Sequence, residues 1–109
     1  MRKIVSRDDL CRCIVNGNAP IPLEALPEKY FAEGHLPGAK HMPHDAVAER
    51  APILAPDKRA AIIVYCASES CRNSHEAAAA LEALGYEDVA VYPGGKQDWQ
   101  AGGFELQSD

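Results

Sequence analysis

Between Cys66 and Arg72 the chain reads Cys-Ala-Ser-Glu-Ser-Cys-Arg, with two thiols, a carboxylate and a guanidinium in one short loop. The thiolate, not the thiol, is the nucleophile, so the chemistry turns on what surrounds Cys66. Directly before it, Ala60–Tyr65 is apolar on both faces, as a central parallel strand is. Directly after the loop, Ser74–Leu84 places Ala77, Ala78, Leu81 and Leu84 on one helical face. Cys66 therefore stands at the carboxyl end of a buried strand, just ahead of a helix. Chemistry in open parallel sheets gathers at that end. Amides of the loop and of the helix N-terminus converge there and stabilise an anion. The expectation is an accessible sulfur with a lowered pKa. The loop from Ala67 through Ser68, Glu69, Ser70 and Cys71 to Arg72 would curl around a substrate. The plainer alternative is a small buried residue that merely ends a strand.

The elements that must position this loop alternate between strand and helix. Lys3–Val5 reads as a short strand. Ser6 opens a helix whose first turn holds Asp8 and Asp9, running to about Val15 and ended by Asn16-Gly17-Asn18. Ile21–Ala25 is a strand, placed at an edge or given a strained start by Pro20 and Pro22. Pro27–Glu33 is a helical turn or two that Gly34 stops. Lys40–Met42 is a brief strand, Asp45–Arg50 a short helix and Ala51–Pro56 a connection. Asn73 and Glu76 stand three apart like a capping box, and Gly85 sits where a helix-ending glycine belongs. Asp88–Tyr92 is a strand, and Pro93-Gly94-Gly95 turns into a last helix, Lys96–Ala101. Such alternation implies an α/β fold around a parallel sheet.

Composition narrows the partners. A chain of 109 residues fits one domain, residues 1–109. A net charge near −5 argues against nucleic acid, which needs a basic footprint. No apolar run approaches the ~20 residues of a membrane span, and the first nine residues hold no apolar signal core. A reducing cytoplasm is the expected location, where free thiols outnumber disulfides. Cys11 and Cys13 form Cys-x-Cys; on a helix, residues two apart face away from each other, so no metal is expected there.

Three stretches together resemble the rhodanese family. They are Phe-Ala-Glu-Gly-His-Leu-Pro-Gly-Ala-Lys-His-Met-Pro (Phe31–Pro43), the strand and loop Ile62–Ser74, and Leu84–Trp99 with its Gly94-Gly95 turn. The resemblance implies about five short parallel strands flanked by helices on both faces. It also implies a sulfurtransferase in which Cys66 carries sulfur as a persulfide, with residues 67–72 binding the donor. Small sulfur-containing anions would be donors and a thiol or a protein the acceptor, with no metal or organic cofactor.

The chain departs from that family in three places. Cys66 to Arg72 is C-x5-R, one residue longer than the loop of common single-domain members. In this fold that length resembles cell-cycle phosphatases and arsenate reductases, where Arg72 would fork two hydrogen bonds to an oxyanion. Against that alternative, Tyr65 stands where a loop-flanking histidine would, and Glu69 would repel a dianion. Cys71 is a candidate resolving thiol or a passive loop residue. Glu24-Ala25-Leu26 replaces a frequent Asp-x-Arg, which puts a structural ion pair in doubt. A non-catalytic binding or redox-sensing module is the remaining alternative. Of the histidines, His35, His41 and His44 cluster, with His35 in a structural hydrogen-bonding role, and His75 faces solvent. Lys96 reads as a surface lysine, and Tyr92 and Trp99 as core or pocket wall.

Overall fold

The computed structural model describes residues 3–17 and 19–108. Five parallel strands form one sheet: β1 (Lys3–Ile4), β2 (Ile21–Glu24), β3 (Lys40–His41), β4 (Ile62–Tyr65) and β5 (Val89–Tyr92), in the order β1-β5-β4-β2-β3. Five helices connect them: α1 (Arg7–Val15), α2 (Glu28–Glu33), α3 (Val47–Leu54), α4 (Asn73–Ala83) and α5 (Gly95–Ala101).

The centre of the sheet is where the residues are most apolar. All four residues of β4 and all four of β5 are buried. Side chains alternate across a strand, and this alternation divides the core in two. Ile62 and Val64 face a layer that holds Val47 and Ala51 of α3 and Ala77, Ala78 and Leu81 of α4. Ile63 and Tyr65 face the opposite layer, with Leu10 of α1 and Trp99 of α5. Cys66 continues this alternation and so falls on the α4 side.

Local chemistry explains most element ends. Ser6 caps α1 with its hydroxyl on the Asp9 amide, and the Asp9 carboxylate returns the bond to the Ser6 amide. Gly85, at φ +97°, turns the chain out of α4 in a conformation that glycine adopts without strain. Asn18, read as part of the α1 stop, lies outside the described residues.

Three expectations give way. β2 is not an edge strand; it pairs with β4 on one side and β3 on the other. The amides of Ile21 and Ala25 both point to β4, so the nitrogen of Pro22 faces the other side, where pairing with β3 begins only at Leu23. The proline is tolerated because no bond is asked of it there. Second, α3 extends through Pro52 to Leu54, where a connection was expected. Burial of Val47, Ala51 and Ala55 outweighs the one bond that Pro52 cannot donate. Third, Asn73 is the first residue of α4 and not its cap; Arg72 holds that position without a side-chain hydrogen bond.

Candidate active site

β4 ends at Tyr65, and its next residue lies beneath the first turn of α4. Cys66 is fully buried. Its Sγ lies 3.3 Å from the Cys71 carbonyl oxygen, 3.5 Å from Ser74 Oγ and 3.8 Å from the Ser68 carbonyl oxygen. With one proton to give, the thiol donates to the nearest of these, the Cys71 carbonyl. Ser74, itself fully buried, offers both its amide and its hydroxyl to the sulfur.

The expected ring of amides is thus only partly present. One helix N-terminal amide and one hydroxyl favour a thiolate, but two loop carbonyls face the sulfur and favour the thiol. The pKa moves opposite to the expectation. Burial pushes the Cys66 thiol up, contact with the Cys71 thiol pushes it further, and Ser74 opposes both. An accessible, acidic sulfur was expected; a covered, protonated one is found. The cause lies in the loop, where the Cys71 amide bonds the Ser68 carbonyl at 3.1 Å and folds residues 68–71 over the sulfur.

The remaining loop residues divide between solvent and the covering of the sulfur. Ala67, Glu69, Ser70 and Arg72 are exposed, and Ser68 and Cys71 are half-buried. Ser68 and Ser70 share a hydroxyl hydrogen bond of 3.0 Å. Arg72 makes no ion pair among the described residues. Two open clefts of about 420 and 520 Å³ flank the loop, and Glu69, Gly94 and Asp98 line both. Asp8 and Asp9 add to the first cleft, as does Arg7, paired with Asp98 at 3.2 Å, so its lining is acidic on balance.

The start of α5 holds the near end of the loop. The Lys96 amide donates to the Cys66 carbonyl at 3.0 Å, and the Gln97 amide to the Ala67 carbonyl at 2.9 Å. That approach requires glycine at position 95. Its φ is +61°, and a Cβ there would sit 2.2 Å from the Cys66 carbonyl oxygen. Gly94-Gly95 was legible as a turn, but its role in positioning Cys66 depends on contacts distant in sequence.

Beneath the loop lies a buried polar cluster that replaces the ion pair put in doubt by Glu24-Ala25-Leu26. Glu24 is fully buried, with Oε2 2.9 Å from Lys96 Nζ and Oε1 accepting from the Tyr65 hydroxyl at 2.9 Å. Lys96 Nζ also donates to the Tyr30 carbonyl at 2.7 Å, and the Leu36 amide donates to the Tyr65 hydroxyl at 3.1 Å. Lys96 is therefore no ordinary surface lysine; its ammonium serves Glu24. Tyr65 does not replace a loop histidine either. Burial and the neighbouring Glu24 carboxylate hold its hydroxyl protonated, and both its bonds run to the side of the sheet away from Cys66.

Other singled-out residues resolve structurally. His35 is buried, pairs through Nδ1 with the Leu36 carbonyl at 2.9 Å and stacks on Phe31. His41 bonds the Leu26 carbonyl, His44 approaches Glu76, and His75 is half-buried where solvent was expected. Trp99 is core, and Tyr92 donates its hydroxyl to Asp98. Cys11 and Cys13 are half-buried free thiols.

The chain resembles solved proteins throughout its length. The thiosulfate sulfurtransferase of Pseudomonas aeruginosa shares its fold at a TM-score of 0.83 and 23% identity, covering 98% of this chain; this chain spans only 20% of that one. The BH2092 protein of Bacillus halodurans superposes at a TM-score of 0.88 with 25% identity, covering 97% of this chain and 77% of its own. A rhodanese of E. coli solved with anions superposes at 0.70 with 26% identity, covering 84% and 100%. No curated protein matches the sequence. The model of the rhodanese-like domain matches residues 14–102, which run from the end of α1 past α5 and include the whole loop. On the sheet order, the placement of the cysteine loop and this match, the chain belongs to the rhodanese-like domain family.

Proposed function

We propose that the protein is a sulfurtransferase that moves sulfane sulfur through a persulfide on Cys66. The observation that carries this reading is the place of Cys66: at the end of the central strand of a rhodanese-like domain, with the Ser74 amide and hydroxyl on its sulfur. The donor is thiosulfate, a polysulfide or another persulfide. The Cys66 thiolate attacks the donor's outer sulfur, the donor S–S bond breaks, and sulfite or a thiolate leaves with the bonding pair. An acceptor thiol or cyanide then attacks the outer sulfur of the persulfide, and Cys66 leaves as a thiolate. Two half-reactions sharing one enzyme form predict ping-pong kinetics.

The buried resting thiol adds a step. The Ser68 and Cys71 carbonyls must turn away for a donor to enter, and the loop amides of residues 67–72 then face the anion. The exposed Arg72 is free to meet a sulfonate or sulfite with two donors. Neither step requires a metal or organic cofactor, and the expected setting is a reducing cytoplasm.

Two other readings have specific support. The C-x5-R spacing and an exposed Arg72 without an ion pair among the described residues favour an oxyanion enzyme. The covered, raised Cys66 thiol favours a binding or redox-sensing module. Turnover separates them. Thiosulfate consumption with cyanide or a thiol acceptor supports sulfur transfer, and hydrolysis of phosphate esters or arsenate reduction supports the second. A chain that turns over none of these substrates supports the third.

A further inference from the structure

The second thiol of the loop has no part in the transfer just described, yet it lies against the first. The Cys71 carbonyl is the nearest hydrogen-bond acceptor to the Cys66 sulfur, at 3.3 Å, and the Cys71 thiol is close enough to help push the Cys66 thiol up. The bond from the Cys71 amide to the Ser68 carbonyl turns the chain back over the strand end and holds this proximity. Cys71 is half-buried, whereas Cys66 is fully buried, so solvent reaches the second cysteine more readily than the first. The intervening Ala67, Ser68, Glu69 and Ser70 include no proline to hold the two thiols apart.

We propose that Cys71 is a resolving nucleophile that discharges the Cys66 persulfide, releasing hydrosulfide and closing a Cys66–Cys71 disulfide. The step rests on the sulfur-transfer reading, because it needs the persulfide as its substrate. Cys71 attacks Sγ of Cys66; the Sγ–Sγ bond forms and the bond from Cys66 Sγ to the outer sulfur breaks. The outer sulfur leaves with that electron pair as hydrosulfide. The proton of Cys71 goes to water or to the departing sulfur. The sulfane sulfur is reduced and the two cysteines together are oxidised to cystine, so no external oxidant is needed. Hydrosulfide is a weaker base than an alkyl thiolate and leaves readily. Regeneration needs a reducing dithiol, small or protein-borne, which names a second partner class for the loop.

The proximity of the two thiols also sets a competition. An acceptor thiol must reach the outer sulfur from solvent, whereas Cys71 is already in place. Transfer to an external acceptor prevails only while an acceptor occupies the opened loop. Without one, the persulfide decays inward.

The test follows the fate of one added sulfur. The full-length chain, fully reduced, is exposed briefly to inorganic polysulfide, freed of donor, and followed by intact mass and by hydrosulfide release. Cleavage after arginine and lysine isolates Ala60–Arg72, which carries both loop cysteines and neither Cys11 nor Cys13. In the unsubstituted chain this peptide gains one sulfur, then loses it and ends two hydrogens lighter than the dithiol while hydrosulfide appears. In Cys71→Ser and Cys71→Ala the sulfur stays on Cys66 and hydrosulfide release without acceptor is lost. Equal persistence of the persulfide with and without Cys71 overturns the resolving step and leaves sulfur transfer standing. Migration of the sulfur to Cys71 without hydrosulfide release also overturns it. If folded Cys71→Ser and Cys71→Ala chains take up no sulfur, the sulfur-transfer reading falls, and the resolving step with it.

Discussion

Cys66 is held as a thiol by the same features that hide it. Burial in the α4 layer and the Cys71 contact raise its pKa, and Ser74 alone works the other way. Two consequences follow at this residue. Alkylation of Cys66 by iodoacetamide is expected to be slow at neutral pH and to climb only above the ordinary thiol range. Ser74→Ala removes the opposing hydroxyl and moves that climb to higher pH still; a climb that moves to lower pH would contradict the assignment of Ser74. Stability follows by linkage. The folded pKa lies above the unfolded one, so the unfolded chain loses this proton first as pH rises. The contribution is fully present below the unfolded thiol pKa and is lost as pH rises toward the folded value. Denaturant unfolding across alkaline pH should show a decline that Cys66→Ser makes shallower.

At the scale of elements, the loop is a product of two helix starts and one buried ion pair. The α5 N-terminus fixes the carbonyls of Cys66 and Ala67, and Gly95 makes room for that contact. Gly95→Ala combines left-handed backbone strain with a backbone clash, and should cost about 2–4 kcal/mol in denaturant unfolding. Sulfur loading should weaken with it. Lys96→Met leaves the fully buried Glu24 carboxylate without its cation and should cost about 3–5 kcal/mol. The double variant Glu24→Gln with Lys96→Met should recover much of that loss, which a thermal-unfolding cycle will read. A double-variant cost equal to the sum of the two single-variant costs would show that the pair is not coupled.

The legibility of this level divides by range. The β4–loop–α4 segment was readable because its signals are contiguous: an apolar run, a small polar loop and a helix-period face ended by Gly85. The strand count and the alternation were readable for the same reason. The partner of Glu24 was not, because Glu24 and Lys96 meet only when β2 and α5 converge on β4. The α4 cap was misread because Arg72 takes the cap position and Asn73 is drawn into the helix. The covered state of Cys66 was not readable either. Which way a loop peptide turns depends on bonds such as Cys71 to Ser68, and composition does not set that direction.

At the scale of the whole molecule, the net charge of −5 and the exposed Glu69 on the rim oppose small dianions, whereas Asp98 is offset by Arg7 at 3.2 Å. Screening weakens such repulsion as salt shortens its reach, from about 30 Å at 0.01 M to about 8 Å at physiological ionic strength. Loading by thiosulfate should therefore accelerate several-fold with added salt, while loading by a neutral organic persulfide changes little. Glu69→Gln should accelerate thiosulfate loading at low salt and flatten its salt dependence. A salt response identical for the two donors would remove the rim from the account. No helix among the described residues is long and apolar enough to cross a membrane.

The most direct test of the central claim is where one sulfur atom lands. Brief exposure of the reduced chain to thiosulfate or polysulfide, followed by intact mass at the earliest times, should show one added sulfur. Peptide mapping should place it in Ala60–Arg72, and it should be absent in a folded Cys66→Ser chain. An added sulfur that persists in Cys66→Ser, or none in the unsubstituted chain with any donor, would contradict a persulfide carried by Cys66.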